Sequence, residues 1–238
     1  MDERQPSAIE DLLAEQAAYY RARAPEYDEA YERRGRHDHG TAANASWLRA
    51  LAEVRAILDG LPLDDAQVLE LAAGSGVWTE ALAARGASVT AVDASSEMLE
   101  RNQARLGSLA TRVRYEQADV FAWRPDQSFD AVVFGFWLTH VPAERLDSFL
   151  RSVAGALRPD GWIFFVDDLE PSLAVDDVSA HIEGTSRVTV RRLNDGREYR
   201  VVKHFREPAE LEDRCRLAGL AVTVHQTTHL QYGVGRRR

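Results

Sequence analysis

Residues able to do chemistry gather at the ends of apolar runs. Val68-Leu69-Glu70-Leu71 leads into Ala72-Ala73-Gly74-Ser75-Gly76, and a second apolar run, Ala87 to Val92, ends in Asp93. Glycines directly after a buried strand let backbone approach a ligand closely. An acid at the tip of the next strand can accept hydrogen bonds from both hydroxyls of a ribose. With the helical stretch Trp78 to Arg85 between the two runs, the unit reads as a nucleoside-binding device. Farther on, Asp119 follows the strand-like stretch 113–117, and Phe136, Trp137, Thr139 and His140 follow the apolar run 129–135. His140 is the candidate general base, because an unperturbed imidazole titrates near neutrality. Aromatic faces beside it suit a cationic ligand.

Spacing separates two cofactor classes. Dinucleotide binders use G-x-G-x-x-G, with the third glycine packing the helix on the strand. Here the third position is Thr79, and Glu70 heads the turn to give E-x-A-x-G-x-G. That pattern resembles the class I S-adenosylmethionine (SAM) dependent methyltransferases. The ordered blocks VRYEQADVF at 113–121, FDAVVFGFWLTHVP at 129–142 and LRPDGWIFFVDD at 157–168 extend the resemblance from about residue 65 to 168.

The resemblance implies SAM as cofactor, S-adenosylhomocysteine (SAH) as product, and no metal. It implies contacts to the cofactor from Tyr27, Glu70, Ala72, Gly74, Gly76, Thr79, Asp93, Ala94, Met98, Asp119, Val120, Phe121, Gly135 and Phe136. Asp119 is expected at the adenine amino group, and Glu70 to orient the turn or hold the methionine end. Tyr20 and His140 are the expected catalytic pair. Trp137, Thr139, Lys203 and His204 are the expected substrate contacts. Tyr19, Tyr20, Tyr27 and Tyr31 lie in a helix-forming segment that similar enzymes fold over the cofactor as a lid.

These side chains need a scaffold. Strands are expected near 67–72, 87–92, 112–117, 129–135 and 161–167, alternating with helices near 78–85, 95–106 and 143–157. Such alternation predicts a parallel sheet with helices on both faces. Residues 7–33 read as helix broken at Pro25, 34–43 as loop, and 44–59 as an amphipathic helix. Asn194-Asp195-Gly196 marks a hairpin between 187–193 and 197–205, and helix 208–218 and strand 220–228 close the chain. The expected fold is α/β, a Rossmann-like seven-stranded mostly parallel sheet with an N-terminal helical lid (1–43) and C-terminal antiparallel strands in a single domain (44–238). The lid and the segment 168–200 are expected to line the substrate pocket.

Composition narrows the function. The chain has 238 residues and a net charge of -9, which disfavours nucleic acid as a partner. The single cysteine, Cys215, allows no internal disulfide and suits a reducing compartment. No apolar run approaches membrane-spanning length, so a cytoplasmic protein without membrane contact is expected, as monomer or homodimer. Other motifs read as bland. Arg236-Arg237-Arg238 reads as a solvated tail and His37-Asp38-His39 as a free surface loop without a third metal ligand. Ser75 lacks the flanking glycines of a nucleophile elbow. The basic stretch 187–206 reads as the polar faces of an exposed hairpin, with an anion-binding pocket as the alternative. Within it, Lys203, His204 and Arg206 are expected nearest the crevice.

The reading is methyl transfer to an oxygen or nitrogen of a small metabolite. Carbon methylation of a quinone or terpenoid, and SAM binding without turnover, remain alternatives. A nicotinamide oxidoreductase is disfavoured by Thr79.

Overall fold

The computed structural model describes residues 8–169, 177–183 and 186–238. Five strands alternate with helices: β1 (Gln67–Leu71), β2 (Ser88–Asp93), β3 (Val113–Gln117), β4 (Phe129–Gly135) and β5 (Leu157–Asp168). They are linked by α4 (Val77–Ala84), α5 (Ser96–Leu106) and α6 (Ala143–Ala156), and α3 (Thr41–Asp59) precedes them. The sheet is seven-stranded, in the order β3-β2-β1-β4-β5-β10-β9. Here β9 is Leu220–Gln226 and β10 is Leu230–Arg237, and β10 runs antiparallel to both β5 and β9. The order reverses at β1, which pairs in parallel with β2 on one side and β4 on the other. A crevice opens above the strand tips at such a switch point.

Side chains alternate across each strand, and both faces of the sheet are buried. Val68, Val89, Ala91, Ala131, Val133 and Phe164 share a cluster with Trp47, Val54 and Leu58 of α3 and Ala81 and Leu82 of α4. Their neighbours Leu69, Leu71, Val132, Phe134, Ile163 and Phe165 share another with Phe149, Leu150 and Val153 of α6. Leu211 and Cys215 of α7 (Pro208–Leu217) complete that second cluster.

Three expectations are corrected. The hairpin around Asn194-Asp195-Gly196 forms, as β7 (Ser186–Arg192) and β8 (Glu198–Val202), but it lies outside the main sheet. With β6 (Asp177–Glu183), a strand not anticipated, it makes a separate three-stranded sheet. Second, Arg236 and Arg237 are not a solvated tail. Both lie in β10, where Arg236 stacks over the Trp162 ring at 4.0 Å and Arg237 donates to the Leu157 carbonyl. Third, α3 begins at Thr41, so the loop before it is shorter than 34–43.

The small sheet is the platform for the N-terminal helix. In α1 (Ala8–Arg23), Leu12 packs on Val188 and Val202, and Tyr19 on Leu193 and Val201. Gln16 is buried between them. Its side chain accepts from Val202 N–H (2.9 Å) and donates to the His140 carbonyl (3.2 Å). Glu15 accepts from Arg200 N–H at 2.6 Å. A buried amide satisfied at both ends fixes the helix over the strand tips. Residues 1–7, 170–176 and 184–185 of the expected lid and pocket segments lie outside the described residues.

Candidate active site

A cavity of about 610 Å³ lies above the tips of β1, β2 and β4, roofed by α1. Gly74, Asp93, Ala94, Met98, Asp119 and Phe136 are among its lining residues. Asp93 stands at the end of β2 and is half-buried. Its Oδ2 accepts from Gly74 N–H and its Oδ1 from Ser95 N–H, each at 2.9 Å. Each carboxylate oxygen has a further lone pair for a ligand hydroxyl. Burial pushes the Asp93 carboxyl up, and the backbone donors of Ser95, Gly74 and Ala94 oppose that shift. Asp119 is exposed at the cavity edge and accepts from Phe121 N–H at 2.9 Å.

The glycine turn is held from below. Gly74 and Gly76 have φ of 54° and 89°, and a Cβ on Gly76 would meet the Asn102 side chain at 2.7 Å. Only glycine takes that backbone at that approach. Asn102 donates to Thr79 Oγ1 at 2.7 Å, beneath the turn. Glu70 is 1% exposed and bonds Thr79 through both its hydroxyl and its N–H. Its Oε2 has no partner among the described residues. Burial pushes the Glu70 carboxyl up to about 8, with the Thr79 bonds opposing. Asp28 of α2 (Asp28–Glu32) clamps the turn from above. It accepts from Ser75 Oγ at 2.6 Å and pairs with Arg105 at 2.8 Å.

A second cavity, about 340 Å³, adjoins the first. Tyr20, Tyr27 and Phe136 line both. Phe136 follows β4 directly with φ 55°, a left-handed conformation rarely held by a bulky residue, and is tied there by its N–H to Val166 O at 2.7 Å. Tyr20 and His140 meet at 2.8 Å through the phenol oxygen and Nε2, and His140 Nδ1 lies 2.7 Å from Val202 O. A carbonyl can only accept, so Nδ1 carries the imidazole proton and Nε2 accepts from Tyr20. Burial pushes His140 well below the ordinary histidine range. Lys203 and Arg191 lower it further, against the Val202 carbonyl. Burial likewise keeps the Tyr20 phenol protonated, well above its ordinary range.

The loop carrying His140 is braced by buried polar groups. Asp167 accepts from Thr139 N–H (2.9 Å) and Thr139 Oγ1 (2.8 Å). Lys203 Nζ reaches Asp168 at 2.7 Å and Thr139 Oγ1 at 3.1 Å. Arg206 donates to the Leu138 and Val141 carbonyls at 2.7 and 2.6 Å, and burial pushes its guanidinium down to about 10.

A protein-family profile described as a methyltransferase domain matches residues 68–161. The ubiquinone biosynthesis O-methyltransferase of Paracidovorax citrulli is 30% identical over 202 residues, spanning 81% of this chain and 80% of that enzyme. Two solved complexes share the fold along nearly their whole length. The DhpI–SAM–HEP complex has a TM-score of 0.76 and 34% identity, covering 98% of this chain and 100% of that one. The DhpI–SAH complex has a TM-score of 0.74 and 35% identity, covering 95% and 97%. The chain is a class I SAM-dependent methyltransferase.

The methyltransferase uses SAM, and the first cavity fits it. An acid stands at the β2 tip, a close-approach glycine turn lies beside it, and Val120, Phe121 and Met98 offer apolar walls. Of the expected cofactor contacts, Tyr27, Ala72, Gly74, Asp93, Ala94, Met98, Asp119, Val120, Phe121, Gly135 and Phe136 line this cavity. Glu70, Gly76 and Thr79 do not; they build the turn from behind. Trp137 lines the first cavity, whereas Lys203 lines the second with His140. Thr139 and His204 line neither. Thr139 is spent on Asp167, and His204 N–H on the Thr139 carbonyl at 2.7 Å.

Several features of the methyltransferase differ from the sequence reading. His140 does not keep a near-neutral pKa, because it is 3% exposed and near cations. Arg206 braces the loop rather than facing the crevice. Within the stretch 37–39, Asp38 and His39 are exposed as expected, but His37 is buried, and it lines the second cavity with His39. Arg191 and Lys203 of the basic stretch 187–206 are 4% and 3% exposed and line that cavity, so they are not faces of an exposed hairpin. Arg23, Arg33, Trp47 and His229 also line it and were not anticipated. These four come from separate segments, so no local motif could have signalled them. No helix among the described residues is long and apolar enough to cross a membrane.

Proposed function

We propose that this methyltransferase methylates an oxygen of a small molecule held in the second cavity, with the methyl group of SAM presented at the junction lined by Tyr20, Tyr27 and Phe136. One observation carries this reading. The two cavities share those three residues, and the Tyr20 hydroxyl is held at the junction by His140. Bound SAM supplies a methyl group already activated on a sulfonium. The protein's share is therefore positioning, water exclusion and charge complementarity. Asp93, Asp119 and the turn at Gly74 hold the nucleoside end.

The phenol proton of Tyr20 is committed to His140, so the Tyr20 oxygen turns lone pairs toward the junction. Such an oxygen favours the polarised C–H bonds of a methyl on sulfur and fixes its direction. Tyr20 then acts by contact and His140 by positioning Tyr20. A buried imidazole among cations is a poor proton acceptor, so His140 is not the net base. The basic lining of the second cavity repels a protonated amine, which supports oxygen over nitrogen. The O-methyltransferase relative points the same way. Residues 8–40 are proposed as the cover over both cavities. α1 is anchored on the small sheet by Gln16, and α2 on the glycine turn by Asp28.

The test is label transfer from SAM to a panel of small hydroxyl, oxyanion and amine acceptors, with the product's methyl position read by NMR. The reading expects O-methyl products. It also expects Tyr20→Phe to slow kcat about fivefold to tenfold with SAH affinity kept. N- or C-methyl products only, or an unslowed Tyr20→Phe enzyme, would reject it.

A further inference from the structure

The second cavity carries a charge pattern at odds with the rest of the chain. The protein's net charge is -9. Yet among the described residues lining this cavity, histidines aside, four are basic (Arg23, Arg33, Arg191 and Lys203) and one, Asp168, is acidic. Three of the four are nearly inaccessible: Arg23 is 5% exposed, Arg191 4% and Lys203 3%. Burying cations is costly unless anionic or hydrogen-bonding groups answer them. Concentrating four of them around 340 Å³ of space, on an otherwise acidic protein, is the composition of an anion site.

The four cations approach from different elements. Arg23 ends α1 and donates to the Tyr19 hydroxyl at 2.8 Å. Arg33 follows α2 in a left-handed conformation and stacks on the Trp47 ring at 3.7 Å. Arg191 comes from β7, and Lys203 follows β8. Tyr31 adds a donor, because its oxygen already accepts from Trp78 Nε1 at 3.2 Å and its own proton is left to give. A planar guanidinium held on an aromatic face is pre-organised for oxyanion contacts.

From this lining we infer that the methyl acceptor carries an oxyanion, a phosphate, phosphonate or carboxylate, held by Arg33, Arg191 and Lys203, and that an oxygen of this anion receives the methyl group. The inference rests on the reading of the second cavity as the acceptor site. The transfer balances without a proton. A lone pair of the oxyanion forms the new O–C bond, the C–S pair stays with sulfur, and one negative and one positive charge cancel. That agrees with a junction whose imidazole is surrounded by cations and poorly placed to take up a proton.

The experiment uses the full-length protein saturated with SAH. Calorimetry measures inorganic phosphate, methylphosphonate and acetate, each against the neutral probe methanol. At least one oxyanion should bind where methanol does not, and the preferred probe tells tetrahedral from planar acceptors. Arg33→Gln and Arg191→Gln should each weaken that binding about tenfold, as expected for one lost charge-assisted contact, with SAH affinity unchanged as the check on folding. Two results overturn the inference: no oxyanion binding, or equal binding by both variants with SAH affinity intact. Failure of the junction reading looks different. Oxyanions would then still bind, while Tyr20→Phe would turn over at the wild-type rate.

Discussion

Glu70→Gln should make the protein more stable, and increasingly so as pH rises. In the unfolded chain this carboxyl titrates near 4.5, and in the folded protein burial moves it to about 8. Between those values the native state holds a proton that the unfolded state has released. Stability contributed by this group is therefore fully present below 4.5 and is lost as pH rises toward 8. Each pH unit inside the window costs about 1.4 kcal/mol, so the loss by pH 7 is roughly 3 kcal/mol. Glutamine keeps the shape and an oxygen to accept from Thr79, but it cannot ionise. Urea denaturation of both proteins at several pH values from 5 to 8 isolates the effect, because every other titrating group cancels in the difference. The stability gap should widen by about 1.4 kcal/mol per unit. A gap that stays constant with pH would mean that Glu70 ionises normally in the folded protein, and the account of the turn would be wrong.

Three further outcomes follow from the same geometry. Asp93→Ala should weaken SAH binding by roughly 2–4 kcal/mol in calorimetry, because it removes a charged acceptor for two hydroxyls and loosens Gly74. His140 is buried and neutral, with its pKa below 6.5. As pH falls below 6.5 the unfolded chain takes up a proton that the native chain refuses, so wild-type stability should fall on acidification relative to His140→Gln. The wild-type rate should correspondingly show no histidine limb between pH 6.5 and 8.5. Asp28→Asn should raise the SAH dissociation constant about fivefold by weakening the clamp on Ser75 and Arg105, measured by calorimetry at low and high salt.

Much of the first cavity was legible in the sequence because its signals are local. The strand, turn, helix and acid from Val68 to Asp93 are contiguous, and the structure places them as that spacing requires. The second cavity was legible only in part. The basic stretch 187–206 supplies Arg191 and Lys203, but Arg23 and Arg33 join them only in space, and no periodicity links the four. The strand β10 was hidden by its composition. The last expected strand was 220–228 and Arg236-Arg237-Arg238 read as tail, yet pairing on both sides with β5 and β9 fixes Leu230–Arg237, Gly233 and Gly235 included, as a strand. His140 shows the limit for chemistry. Its residue type suggested a base, but burial and neighbouring cations, invisible in sequence, change what it can do.

The most direct test of the central claim is a structure of the full-length protein with SAH and a methylated or methylatable acceptor bound. The account predicts the SAH ribose on Asp93, its sulfur facing Tyr20 and Phe136, and the acceptor's oxyanion among Arg33, Arg191 and Lys203. An acceptor seated instead on the far side of the first cavity, against Trp137 and Arg145, would contradict it.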